Sequence, residues 1–181
     1  MPHIDLLELP YFEGISADDL VALVDVMEPK LFEADDVIVT EGDPPPPLYI
    51  ATAGAIEISK RGPDGKTRAL ARLESPTLFG EIELFCQIPA VSTAKALDRV
   101  SAFALSRPAF DNMFATSDPA LMRFVLNVAR VACARLAVAD EMLTHMLDSA
   151  DLANLRRAVF AQHKKKDGWD RTTGVFIKLP R

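Results

Sequence analysis

The run LFGEIELFCQIPAVSTAKA, Leu78 to Ala96, lies among short strand-like segments, and its flanks set the fold class. Upstream, VIVTEGD (Val37–Asp43), LYIATAGAIEI (Leu48–Ile58) and TRALARL (Thr67–Leu73) are β-branched or alternate apolar with polar. Downstream, TAKALDRVSAFAL (Thr93–Leu105) behaves in the same way. Gly62-Pro63-Asp64-Gly65 is a hairpin turn, with glycine free to take positive φ and proline fixing its own. Pro44–Pro47 is a stiff polyproline loop, because proline cannot donate to a ladder. Many short strands punctuated by turns are the pattern of a barrel or sandwich.

Helices flank this region. Leu6 to Met27 reads as short helices: Ser16 offers a capping hydroxyl, Asp18 and Asp19 follow, and Leu20, Leu23, Val24 and Met27 keep helix spacing. From Arg107 the strand signal stops. Arg107 to Phe114 reads as a short helix, and Ser117-Asp118-Pro119 caps a long one running to about Leu147. Positions 123, 127 and 130 form a narrow polar stripe. Leu121, Val125, Val128, Ala132, Ala139, Met142 and Met146 form an apolar row close to a 3–4 repeat, and Leu126, Ala129, Cys133 and Leu136 form a second apolar seam. A helix apolar on two faces needs two covers, so the first row is expected to meet a partner helix in a homodimer. A further helix is expected over Leu152–Lys165, followed by GVFIKLPR to the end.

Composition narrows the classes. At 181 residues, 49% apolar and 25% charged, the chain can bury a core and has no signature of wholesale disorder. No apolar run approaches the roughly 20 residues of a membrane span. The start lacks the basic flank and apolar block of a signal peptide, so a cytoplasmic protein is expected. Cys86 and Cys133 form no CxxC, and His3, His145 and His163 stand apart, so no metal is expected. Residues 151–181 carry eight Lys or Arg against three acids, a net +5, which leaves −11 on the remainder of a chain of charge −6. An acidic body repels nucleic acid, and the Lys164-Lys165-Lys166 run reads first as a solvated helix end.

Helix, strands, the Leu78–Ala96 cassette and a long helix, in that order, resemble the catabolite-activator/FNR (Crp/Fnr) type of cyclic-nucleotide-binding regulator. Glu41-Gly42-Asp43 followed by LYIATAGAIEI is similar to that family's GDxxDxLYxIxxGxVxV, with four prolines crowding the intervening loop. Asp64-Gly65-Lys66 lies where its exposed hairpin lies, and PTLFGE (Pro76–Glu81) matches the turn into its phosphate-binding cassette. The resemblance runs from about Leu6 to Leu147. It implies an α+β fold: an antiparallel β-roll (a double-stranded β-helix or jelly roll) with flanking helices and a long C-terminal dimerisation helix. The expected divisions are 1–116, 117–147 and 148–181.

The same resemblance implies a pocket built from Gly80, Glu81, Ile82, Ala90, Val91, Ser92 and Thr93. Gly80 would bring backbone close to a ribose and Glu81 would accept its 2′-hydroxyl. Amides opening the helix after Glu81 and near Ala90–Ser92, with the Ser92 and Thr93 hydroxyls, would donate to phosphate. The alternative is that FGE merely holds a turn, with Glu81 bonding backbone amides. The family's arginine is missing: its place falls on Ala90, or on Val91 with a one-residue slip. A charge-assisted bond is worth about 1.5–3 kcal/mol, more when desolvated, so nucleotide affinity should fall roughly 10- to 1000-fold. Glu83 stands where the family has a small residue and would repel phosphate, and Lys95 or Arg99 are the candidate substitute cations. Ala139–Asp140, nearest to the base-contacting hydroxyls of the family, offers no hydroxyl.

The expected function is a non-enzymatic dimeric sensor or regulatory module, with weak or no cAMP or cGMP binding and no certain cofactor. No Ser/His/Asp, Cys/His or paired-carboxylate arrangement argues for an enzyme, since the cassette accounts for Glu81 and Glu83. Phe85-Cys86-Gln87-Ile88 lacks the histidine of the haem-binding Phe-Cys-x-His variant, and Cys86 is expected to be a buried thiol. GVFIKLPR resembles the strand that opens the helix-turn-helix of such regulators. With the chain given ending at Arg181, sequence-specific DNA binding by it alone is not expected. A truncated transcription regulator and a protein-interaction adaptor built on the same dimer are the alternatives.

Overall fold

The computed structural model describes residues 6–146, with side chains to residue 141. The chain divides into two compact units, residues 1–131 and 132–181. The expected segment 148–181 and the side chains of Met142 and Met146 lie outside the described residues.

The first unit is an antiparallel β-roll with helices at both chain ends. Two 3-10 turns (Leu6–Glu8 and Pro10–Phe12) lead into α1 (Ala17–Asp25), where the Ser16 hydroxyl accepts from the Asp19 amide at 3.1 Å as the sequence indicates. Eight strands follow: β1 (Glu28–Phe32), β2 (Val37–Val39), β3 (Leu48–Ala53), β4 (Ala55–Arg61), β5 (Thr67–Glu74), β6 (Thr77–Phe79), β7 (Thr93–Ala96) and β8 (Val100–Leu105). The short helix α2 (Glu81–Cys86) separates β6 from β7, and α3 (Arg107–Ala115) and α4 (Pro119–Met146) close the described chain. One sheet runs β1-β8-β3-β6 and the other β2-β7-β4-β5, each antiparallel throughout.

LYIATAGAIEI is two strands because Gly54 breaks it. Gly54 sits at φ +89°, and a Cβ there would lie 2.5 Å from the Arg99 carbonyl oxygen. Only glycine turns this corner from one sheet into the other. Asp98 secures the facing turn, its Oδ1 accepting from the Ala55 amide at 2.8 Å.

Strand alternation sorts the core into two layers. Between the sheets lie Val39, Tyr49, Ala51, Ile56, Phe79, Ala90, Ala94, Ala96, Val100, Ala102 and Ala104. On the other face of the β3–β8 sheet, Leu48, Ile50, Leu78 and Leu105 pack with Phe12, Leu23, Phe110, Leu121, Phe124 and Val128 from the helices. The inner layer is rich in alanine, whereas the helical side is built mostly of larger side chains.

α4 corrects one reading. Leu121 and Val128, expected in the intersubunit row, are 0% and 1% exposed within the domain's own core. The helix turns these two toward the sheet, which already supplies their cover. Val125 and Ala132 are half-buried and Ala139 is exposed, while the second seam faces outward, with Leu126 at 47% and Leu136 at 62% exposed and Ala129 and Cys133 exposed beside them.

Of the polar stripe, Arg123 and Arg130 are exposed and Asn127 is not. Asn127 is 1% exposed, and its Nδ2 donates to the carbonyls of Tyr11 at 3.2 Å and Glu13 at 2.9 Å. One amide therefore ties the N-terminal turns to α4. Asn127→Ala is expected to lower stability by about 1–3 kcal/mol, because it removes two hydrogen bonds, one of them buried. Urea denaturation measures this, and an unchanged midpoint would mean water replaces the amide.

Candidate functional site

The cassette folds as strand, turn, short helix, loop and strand. Phe79 ends β6 stacked on Tyr49, with ring centroids 5.1 Å apart, and burial pushes the Tyr49 phenol above its ordinary pKa. Gly80 follows at φ +84°, where a Cβ would meet the Pro47 carbonyl oxygen at 2.6 Å. The polyproline loop thus presses directly on the turn. α2 then places Glu81, Glu83 and Leu84 inward, while Ile82 (45% exposed) and Cys86 face solvent four residues apart. The Ile82 side chain is therefore turned away from the buried Glu81 and Glu83. The expectation of a buried Cys86 thiol fails because the apolar side of α2 is taken by Leu84 and Phe85.

The far end of α2 is pinned by α3. The Arg107 guanidinium donates to the Leu84 carbonyl at 2.9 Å, pairs with Asp111 and lies 5.4 Å from the centre of the Phe110 ring. Gln87 ends the helix in the left-handed region, φ +53°.

The loop after α2 is held by its backbone. The Ala90 amide donates to the Asp43 carbonyl at 2.9 Å, and the Ala90 carbonyl accepts from the Gly42 amide at 2.8 Å. The Ala90 methyl, 3% exposed, points into the alanine-rich layer. The Val91 amide donates to Oε1 of Glu83 at 2.9 Å. The Thr93 hydroxyl accepts from the Glu41 amide at 3.0 Å, and the Glu41 carboxylate in turn accepts from the Arg61 amide at 2.8 Å. Of the groups expected to donate to phosphate, two amides already serve other acceptors, the Thr93 hydroxyl accepts from Glu41 and keeps its own O–H, and Ser92 is half-buried.

The candidate substitute cations point elsewhere. β7 alternates, so Ala94 and Ala96 face inward and Lys95 outward, where its ammonium meets Asp35 at 2.6 Å. That contact raises the Lys95 pKa and lowers that of Asp35. Arg99 sits in the β7–β8 turn beside Glu33 at 3.4 Å. Among the described residues the buried acids are Glu81 and Glu83, and no lysine or arginine is buried with them. Among the described residues, too, no three His, Cys, Asp or Glu side chains gather as a metal site would require.

Glu83 is the residue whose role the sequence only half disclosed. Its acidic character was legible; its bond to an amide eight residues away was not.

Comparison with known proteins agrees with this geometry. Residues 29–117 match the family described as cyclic nucleotide-binding domain. A CRP-like cAMP-activated global transcriptional regulator of Mycobacterium tuberculosis is 30% identical over 104 residues, covering 58% of this chain and 46% of that protein. The chain thus spans less than half the length of this relative. The N-terminal domain of a transcriptional regulator from Streptomyces coelicolor A3(2) superposes with a TM-score of 0.63 at 28% identity, covering 75% of this chain and 94% of that one. The catabolite activator protein of Thermus thermophilus shares the fold, with a TM-score of 0.69 at 24% identity over 76% of this chain and 63% of that one.

Proposed function

Residues 29–117 being a cyclic nucleotide-binding domain, we propose that the protein is a cytoplasmic, non-enzymatic, dimeric regulatory module whose pocket binds cAMP or cGMP weakly or not at all. The observation that carries this reading is Ala90. Where the resemblance places a cation, the chain presents a buried methyl whose backbone is already paired with Gly42 and Asp43. The absent charge-assisted bond is worth about 1.5–3 kcal/mol, more when desolvated, roughly 10- to 1000-fold in affinity. Lys95 and Arg99, engaged outside the roll, supply no replacement.

The dimer is assigned to the outward seam of α4, Leu126, Ala129, Cys133 and Leu136, instead of the row that includes Leu121 and Val128. Leu126 and Leu136 leave large apolar side chains exposed on this face, where water serves them poorly.

Isothermal titration of cAMP and of cGMP into the protein, to millimolar ligand, tests the pocket. No heat, or a dissociation constant near millimolar, is the expected result. Micromolar binding would overturn the reading.

A second reading is favoured by a relative: the matched Mycobacterium protein is a CRP-like transcriptional regulator, and this chain would then serve in transcription regulation. The coding sequence around this segment discriminates the two readings.

A further inference from the structure

Glu83 is an acid that the fold buries and supplies with a donor. Its residue is 5% exposed, and Oε1 accepts from the Val91 amide at 2.9 Å. Among the described residues, the ion pairs of the molecule are made by other acids. A buried carboxylate needs compensating donors, and here one comes from the cassette loop itself.

Part of what that loop offers is already taken. The Ala90 amide and carbonyl are committed to Asp43 and Gly42 on the other side of the loop. The Val91 amide is the next donor along the chain, and Glu83 reaches it from the first turn of α2. Carboxylate and phosphate oxygens compete for the same kind of donor, and one N–H gives its best geometry to a single anion.

We infer that Glu83 is the resident anion of this pocket: its carboxylate takes the Val91 amide and thereby excludes ligands that carry a phosphate or another anionic group. This rests on the reading of the pocket as a disabled nucleotide site, and goes further by naming an occupant. The missing arginine removes an attraction, whereas Glu83 adds a competitor that restoring the arginine alone does not displace. The pocket's selectivity is then for neutral or cationic groups.

The test is a two-residue cycle on the full chain with cAMP as probe, read by isothermal titration: wild type, Ala90→Arg, Glu83→Ala and the double variant. In Ala90→Arg alone, Glu83 keeps the amide and also pairs with the new guanidinium, so binding stays weak. The double variant is expected to bind at least about tenfold tighter than Ala90→Arg. Equal affinities for those two proteins would overturn the inference.

Because arginine at a buried position can impair folding, hydrogen exchange at the Val91 amide gives an independent readout without it. Exchange should be about tenfold faster in Glu83→Ala than in wild type, and near wild type in Glu83→Gln, whose side-chain oxygen still accepts. Unchanged protection in Glu83→Ala would overturn the inference whatever the titrations give. Micromolar cAMP binding by the wild type would sink the disabled-pocket reading on its own, and the exchange result would still judge the Glu83–Val91 bond.

Discussion

Gly54→Ala is expected to destabilise the domain by about 3 kcal/mol or more, one of the largest effects of any single methyl in the chain. A non-glycine residue at this positive φ costs about 1–2 kcal/mol. The new Cβ would also lie 2.5 Å from the Arg99 carbonyl oxygen, 2.7 Å from Oδ1 of Asp98 and 2.9 Å from the Val100 Cα. Two of those neighbours are backbone, which cannot rotate away, so overpacking adds about 1–3 kcal/mol. Displacing Asp98 would further deprive the Ala55 amide of its 2.8 Å acceptor. Thermal unfolding should register a fall in Tm of roughly 6–12 °C. A fall of a degree or less would mean the β7–β8 turn yields freely, and the corner would not be the rigid joint described.

Two glutamate substitutions on α4, two residues apart, should part company completely. Val128→Glu places an unpaired charge among Phe124, Leu121 and the β-sheet, at 1% exposure. Burying such a charge costs several kcal/mol, comparable with the 5–15 kcal/mol of a typical domain, so an unfolded or aggregated protein is expected. Leu126→Glu lies on the outward seam, 47% exposed. It should alter the stability of the monomer by no more than about 0.5 kcal/mol while halving the mass in solution. Circular dichroism and sedimentation velocity together separate the two outcomes. A folded Val128→Glu would refute the assignment of the helix faces, and a Leu126→Glu of unchanged mass would refute the seam as the dimer contact.

The sequence was most legible where one local rule acts alone. The Ser16 cap, the Gly62–Gly65 hairpin and the start of α4 at Ser117-Asp118-Pro119 are read within a few residues, and the structure has all three, Asp118 accepting from the Leu121 amide at 2.9 Å. β1 escaped because Glu28-Pro29-Lys30 lacks strand composition. It stands at a sheet edge, where proline is tolerated, and its register is dictated by β8. β6 has three residues, all buried, too few to show a period.

On α4 the sequence revealed two apolar faces but not which belonged to the domain, since that depends on the sheet the helix meets. Asn127 read only as one member of a polar stripe, with no sign of its partners. Its two acceptors come from chain 114 and 116 positions away. In the pocket, residue types were legible and occupancy was not. Ala90 could be recognised as a missing cation, whereas the Glu83–Val91 bond depends on how the intervening loop returns.

The outer edge of the roll bears on how such a chain changes over time. β5 is exposed along almost its whole length and is joined to the rest through its ladder with β4. Substitutions there meet water instead of packed neighbours, and lengthening the Gly62–Gly65 turn adds only a logarithmic loop-closure penalty. The hairpin is therefore the margin on which this lineage can try out new surface chemistry, while Gly54, Gly80 and Asn127 hold the interior to a single design.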